Sequence, residues 1–256
     1  MSELRALFDQ YFEFIPALDD ALRDEVFRIR YGVYCVEGLI PGFDAKQFPD
    51  GLERDCHDAQ SVHALLRHCP SGTWAGTVRL VRPDPVIASG LLPIEQHGIG
   101  RFDRALAGTL PSRDRVAEIS RLVLTRQFRA RPGESRTPYG ARPDPTIPGS
   151  DSRRRFPHTA LGLFVAITRL SVMHGIDFWY AAMEARLNRL LQGFSLKLDQ
   201  IGPEIEYHGS RLPFFSEADA VLRRARTLQP EIWDLLTEGG RFQPTPKDAT
   251  TRPPDS

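Results

Sequence analysis

The amino-acid sequence predicts a single mixed α/β domain, a central sheet flanked by helices, and three observations carry that reading. A helix-period segment and a β-hairpin pattern open the chain, and a strand, helix, strand, helix, strand order follows. The stretch 116–125, Val116-Ala117-Glu118-Ile119-Ser120-Arg121-Leu122-Val123-Leu124-Thr125, reads as the central strand. It nevertheless carries a Glu, a Ser and an Arg, groups that a sheet interior accepts only with a task or a partner. Finally, 256 residues that are 41% hydrophobic suffice for one sizeable core, which we bound at 1–240.

Composition narrows the function classes. Thirty-three basic residues balance 33 acidic ones, so no global field favours nucleic acid or an anionic membrane. No run approaches about 18 apolar residues and the N-terminus lacks a basic region followed by an apolar one, so neither a membrane span nor a signal peptide is expected. Cys35, Cys56 and Cys69 are too few for a disulfide framework and point to a reducing cytoplasm.

Taken in order, Leu22, Val26, Ile29 and Val33 recur at helical spacing behind Asp19-Asp20, predicting a helix over 19–34. Residues 37–58 lose all periodicity and hold Pro41-Gly42, Pro49 and Asp50-Gly51, a long loop of the kind that often carries function. Alternation about Val62, Ala64 and Leu66, a turn at Pro70-Ser71-Gly72 and a β-rich run over 73–81 predict an antiparallel hairpin. Residues 83–115 give no clear element. Residues 126–157 are rich in Arg, Pro and Gly and poor in large aliphatics. Eight arginines against three acids make this insertion +5, the only strong charge asymmetry in the chain.

Leu163, Phe164, Ile167 and Leu170 then predict a helix ending at Gly175. A strand over 177–183, a helix over 185–192 closed by Gly193, and a strand over 197–207 broken at Gly202-Pro203 complete the alternation. Ser216 and Asp219 resemble a capping box for a helix through Leu228, and 231–236 form a last helix. Residues 241–256, proline-rich and without aliphatic clusters, are expected to be a disordered tail.

Four polar clusters stand in these elements: Arg30 in the first helix, Asp55 and Asp58 in the loop, Arg79 in the hairpin, and Glu118, Ser120 and Arg121 in the central strand. Partly buried arginines and aspartates pair with one another, so a network joining the clusters is expected.

The series Phe27-x-x-Arg30-Tyr31-x-Val33-Tyr34, Glu53-x-Asp55-x-x-Asp58, Gly76-Thr77-Val78-Arg79-Leu80 and Glu118-Ile119-Ser120-Arg121 resembles, in order and spacing, the acyl-homoserine-lactone autoinducer synthases and the wider N-acyl amino acid synthases. Further blocks extend the likeness to the acyltransferases of the PEP-CTERM/exosortase protein-sorting system over roughly 12–215. These are Tyr31-x-Val33-Tyr34-Cys35-x-Glu37, Phe128-Arg129-x-Arg131-x-Gly133-Glu134, Ala182-Met183-Glu184-x-x-Leu187-x-Arg189-Leu190, and 201–213 with Tyr207-His208-Gly209.

The resemblance implies a GNAT-like (acyl-CoA N-acyltransferase) domain whose splayed sheet admits a 4'-phosphopantetheine thioester. It implies transfer of a long-chain acyl group from acyl carrier protein or coenzyme A to a small-molecule amine, with no permanently bound cofactor. The autoinducer synthases carry a Trp shortly after the aromatic matched by Tyr34, and this chain reads Glu37-Gly38-Leu39-Ile40 there, which weighs against homoserine-lactone formation from S-adenosylmethionine.

Thioester aminolysis requires a base to free the amine, and Glu118 is the candidate, with Asp55 or Asp58 as the rival. Ser120 and strand N–H groups are candidate oxyanion donors. Arg30, Arg79 and Arg121 are assigned to holding the acidic loop over the acceptor pocket, with one of them a candidate to reach a substrate carboxylate in bidentate fashion. Tyr34 and His208 are further substrate-binding candidates by resemblance. Arg129, Arg131, Arg153 and Arg154 are candidates for docking acidic carrier protein, against a plain solvated loop. A zinc site or thiol nucleophile at Cys56-His57-Asp58 fits no common ligand spacing. A non-catalytic acyl-binding module is the alternative from a different class.

Overall fold

The structure, a computed structural model, describes residues 1–98, 112–129 and 159–244. Helix α1 (Glu3–Tyr11) runs into strand β1 (Phe12–Pro16), then α2 (Asp20–Tyr31) continues into a π-helical turn, Gly32–Val36. Strands β2 (Ser61–His68) and β3 (Thr73–Val81) form the hairpin, a short α3 (Pro93–Gly98) follows, and β4 (Val116–Leu124) is the central strand. After a single turn, α4 (Arg126–Arg129), come α5 (Thr159–Met173), β5 (Phe178–Met183) and α6 (Ala185–Gly193). The stubs β6 (Asp199–Gln200) and β7 (Ile205–Glu206), strand β8 (Ser210–Glu217), α7 (Ala218–Leu228) and α8 (Pro230–Thr237) complete the domain.

The sheet order is β1-β2-β3-β4-β5-β8-β6, with β7 pairing β8 off that path. Among the described residues only β4 and β5 pair in parallel. Both faces are covered. Leu65 and Val123 meet the apolar stripe of α2, Val26, Phe27, Ile29 and Val33, on one side. Ala64, Leu66, Val78 and Leu80 meet α1, α5 and α8 on the other. Helix α5 has eleven buried positions among its 15, so it reads as hydrophobic all round because it lies inside the domain. Gly162 faces Leu66 so closely that an added Cβ would fall 2.7 Å from its methyl group, which explains a glycine in mid-helix.

Several expectations need correction. Asp19 does cap α2 through Leu22 N–H, at 2.8 Å. Ser216, however, lies in β8, where its hydroxyl accepts from Asp199 N–H, and Asp219 takes Gln243 and Arg223 instead of closing a capping box. The expected strand over 197–207 is only the two stubs, and the longer β8 is a strand where the sequence predicts no element. The tail begins later than expected. Phe242 N–H bonds the Thr237 carbonyl at 2.8 Å, Trp233 donates to Gln243 at 2.7 Å, and the Arg169 guanidinium lies over the Phe242 ring. The remainder of the tail lies outside the described residues.

Candidate active site

The loop between α2 and β2 is fastened by three guanidiniums on three carboxylates. Arg30, fully buried, binds Glu53 through Nε and Asp58 in bidentate fashion, at 2.7 and 3.0 Å. Arg79 reaches across from the hairpin to Asp55 at 2.6 Å, Asp58 at 2.7 Å and the Ser120 hydroxyl at 3.1 Å. Arg121 closes the set on Glu53 and Asp55, at 3.0 and 2.9 Å. Asp55 and Asp58 also cap each other's backbone around the 3-10 turn Cys56–Gln60, so the capping box of this chain is here. The expected network therefore forms, and Glu53, to which the sequence analysis gave no role, is one of its three anions.

Arg121 joins this set through a defect in its strand. On an unbroken strand, neighbours face opposite sides of the sheet. The β3–β4 register slips between Thr77 and Arg79, and Arg121 sits at φ +50°, a bulge that turns its side chain toward the loop beside Ser120.

Burial by itself would raise these carboxyls, but the guanidiniums outweigh it. Arg79 and Arg121 hold Asp55 at about 2, Arg30 and Arg79 hold Asp58 well below the usual range, and Arg30 and Arg121 lower Glu53. Glu118 behaves in the opposite way. It is 1% exposed, and burial pushes it up to about 8, against the single backbone N–H of Ile94 that it accepts at 2.7 Å. That donor is fixed in place because Arg113 grips Glu95 of α3 at 2.6 and 2.7 Å and the Gly90 carbonyl at 2.6 Å.

Glu118 opens into a cavity of about 120 Å³ at the place where the sheet splays. Strands β4 and β5 pair only as far as Ile119 and Ala181, and beyond them Ser120, Arg121 and Leu122 face Ala182, Met183 and Glu184 across the gap. Phe164 of α5 and Leu187 of α6 line it too. A second cavity, about 230 Å³, lies under the loop and shares Phe43, Arg121, Tyr207 and His208 with the first.

Tyr34 is buried, its hydroxyl pushed up to about 12 by burial, and it stacks on Phe43. His208 sits at φ +52° in the β7–β8 turn with its ring tilted against Phe43 at 4.7 Å, and burial and Arg121 lower its pKa. Arg129, expected on a docking surface, is instead 6% exposed and bonded to Glu37, so it fastens α4 to the end of the π-helical turn. Arg131, Arg153 and Arg154 lie outside the described residues. Among the described residues no cluster of three metal-ligating side chains occurs, and no helix is long and apolar enough to cross a membrane. The three cysteines are free.

Sequence reasoning missed Tyr207, Phe43 and His97. Tyr207 was adjacent to a chosen residue and its phenol is raised by burial and by Glu118. Phe43 follows the Pro41-Gly42 turn with no periodic signal, and His97 belongs to a stretch that gave no element.

A mixed, mostly antiparallel sheet splayed between two parallel strands and flanked by helices is the GNAT fold. Residues 29–137, from the end of α2 to beyond β4, match the family model described as an acetyltransferase (GNAT) domain. No curated protein matches the chain. Among solved structures it is similar to the coenzyme-A-dependent acyl-homoserine lactone synthase BjaI with SAM and isopentyl-CoA. The identity is 18% and the TM-score 0.54, over 91% of this chain and 89% of that one. It is similar to TofI in a ternary complex with an inhibitor and MTA (18%, TM-score 0.54, 87% and 99%). It is also similar to FeeM, an N-acyl amino acid synthase from uncultured soil microbes (14%, TM-score 0.53, 85% and 98%). At these identities the likeness establishes the fold.

Proposed function

We propose that the protein is an N-acyltransferase that moves a long-chain fatty acyl group from a 4'-phosphopantetheine thioester to the amine of an amino acid or related small molecule. The observation that carries this reading is Glu118, a buried carboxyl raised to about 8 in the cavity between the parting strands. Such a group is a far stronger base than Asp55 or Asp58, and it has one hydrogen bond to lose rather than a set of ion pairs.

In this reading the thioester enters between β4 and β5, and the acyl chain follows the apolar wall of Ile119, Leu122, Phe164, Met183 and Leu187. The amine approaches from the second cavity. The ionised form of Glu118, the minority form at neutral pH, takes the proton that the ammonium must lose and passes it to solvent. The nitrogen then attacks the thioester carbon, the new C–N bond forms, and the oxyanion meets backbone N–H groups of β4 and the Ser120 hydroxyl. That hydroxyl accepts from Arg79, which leaves its own proton to donate. The C–S bond breaks, and the departing thiolate takes the proton shed by nitrogen, relayed by the Tyr207 hydroxyl that lines the same cavity.

BjaI, a coenzyme-A-dependent acyl-homoserine lactone synthase, was solved with isopentyl-CoA, and FeeM is an N-acyl amino acid synthase; both support the reaction class. Either acyl carrier protein or coenzyme A serves this geometry. Arg131, Arg153 and Arg154 are the residues we assign to carrier docking, with Arg129 removed from that set. Glu37-Gly38-Leu39-Ile40 in place of a Trp argues against a homoserine lactone product. On resemblance alone, the exosortase-type blocks point to cell-envelope or extracellular-polymer biology, and the three free cysteines favour a reducing cytoplasm.

The test is mass spectrometry of lipid extracts from a bacterial host expressing wild type or Glu118→Ala. A new acylated amine with the wild type alone is expected. Absence of any such product, together with tight acyl-thioester binding by purified protein and no turnover on a panel of amines, would favour an acyl-binding module instead.

A further inference from the structure

The second cavity is walled by rings. Tyr34 and Phe43 have centroids 4.8 Å apart, Phe43 and His208 4.7 Å, His208 and Tyr207 5.0 Å, and Tyr207 and His97 4.4 Å. These five rings form a continuous belt from the end of α2, through the loop and the β7–β8 turn, to α3. Phe43, His97, Tyr207 and His208 face the cavity together with Phe48 and Asp55.

The charges around that cavity are already matched. Arg121 is committed to Glu53 and Asp55, Arg54 to Asp50, and Arg211, at the neighbouring mouth, to Glu184 at 3.0 Å. Of the three network carboxylates, Asp55 is the one that reaches solvent, its side chain 26% exposed against 1% for Glu53 and 7% for Asp58. Arg121 already lies 5.0 Å over Phe43, so the cavity offers the rings of Tyr207, His208 and His97 and the part-exposed edge of Asp55, which is paired with Arg79 and Arg121 on its inner side. Both attract a cation, and the carboxylate repels an anion.

Resting on the N-acyltransferase reading, we infer that the acceptor is an amine on a flat or apolar body that carries no carboxylate, seated against the aromatic belt with its ammonium toward Asp55 and Glu118. A free α-amino acid would bring its carboxylate against Asp55, and the two guanidiniums that line the cavity, Arg54 and Arg121, are already paired.

The experiment uses full-length protein with palmitoyl-coenzyme A and palmitoyl-acyl carrier protein as donors. The acceptors are three pairs that differ by one carboxylate: phenethylamine and phenylalanine, isopentylamine and leucine, putrescine and ornithine. Phenylalanine methyl ester serves as a charge control. In at least one pair the carboxylate-free amine is expected to exceed its amino acid about tenfold or more in kcat/KM, with the methyl ester used better than phenylalanine. His97→Leu, at a belt ring that lines the second cavity and not the first, should raise KM for the amine several-fold and leave KM for the thioester unchanged. Amino acids acylated as well as, or better than, their decarboxylated partners would overturn this inference while leaving N-acyl transfer standing. No amide from any acceptor with either donor would remove the acyltransferase reading, and this inference with it.

Discussion

The loop network and the Glu118 cavity both bury carboxylates within a few residues of the same strand, yet they do so in opposite ways. Around Glu53, Asp55 and Asp58, three arginines cancel three charges, and each carboxyl is easier to ionise than in water. At Glu118 one backbone N–H, with Arg79 and Arg121 acting only from a distance, fails to offset burial, and ionisation is made harder. Breaking a buried pair strands a charge and costs stability, whereas an unpaired carboxyl already held near neutrality costs stability by being there. The first arrangement builds a floor for the loop; the second is poised to accept a proton.

The largest expected effect follows from that contrast. Glu118→Gln should lower the acylation rate by about 10²–10⁴-fold while the thioester still binds, measured by single-turnover kinetics; a network variant that loses rate equally without losing stability would erase the distinction. Next, Arg79→Ala leaves Asp55 and Asp58 short of a partner and should cost about 3–5 kcal/mol in denaturant unfolding. Ser120→Ala should reduce the rate about 10²-fold with little change in stability, separating its role toward substrate from its bond to Arg79.

The pH dependence of stability separates the regions further. Asp55 and Asp58 are depressed, so their stabilisation is complete above the usual value near 3.8 and is lost as pH falls toward about 2. Glu118 is raised, so the folded chain holds a proton that the unfolded chain has released, and stability falls as pH rises from about 4.5 to about 8. Glu118→Gln should therefore melt higher than wild type at pH 8 and nearly together with it at pH 4. The smallest effect is at Arg129. Arg129→Ala should cost about 1 kcal/mol and leave KM for acyl carrier protein unchanged, while Arg153→Glu with Arg154→Glu raises it.

Much of this was legible in the chain. The α2 stripe, the hairpin and α5 have unbroken periods, and the polar trio on β4 marked the site because a sheet interior tolerates such groups so poorly. What was hidden has physical reasons. Strand β8 carries Pro213, which reads against an interior strand, but the neighbouring stub β6 pairs only with Phe214 and Phe215, and Pro213 supplies just its carbonyl, to Ile201 N–H at 3.0 Å. The Asp55–Asp58 capping box was seen as a motif but not as a cap, and a false one was read at Ser216. Arg121's direction depends on a positive φ that no sequence period reveals. The aromatic belt joins residues from four separate segments, which only tertiary packing brings together.

The central claim is that Glu118 remains protonated near neutrality while the network carboxylates do not. Infrared difference spectra of wild type minus Glu118→Gln across pH 4–10 test it directly through the carboxylic C=O stretch. A protonated band that persists at pH 7 and titrates away near pH 8 is predicted; a band already gone by pH 5–6 would contradict the account.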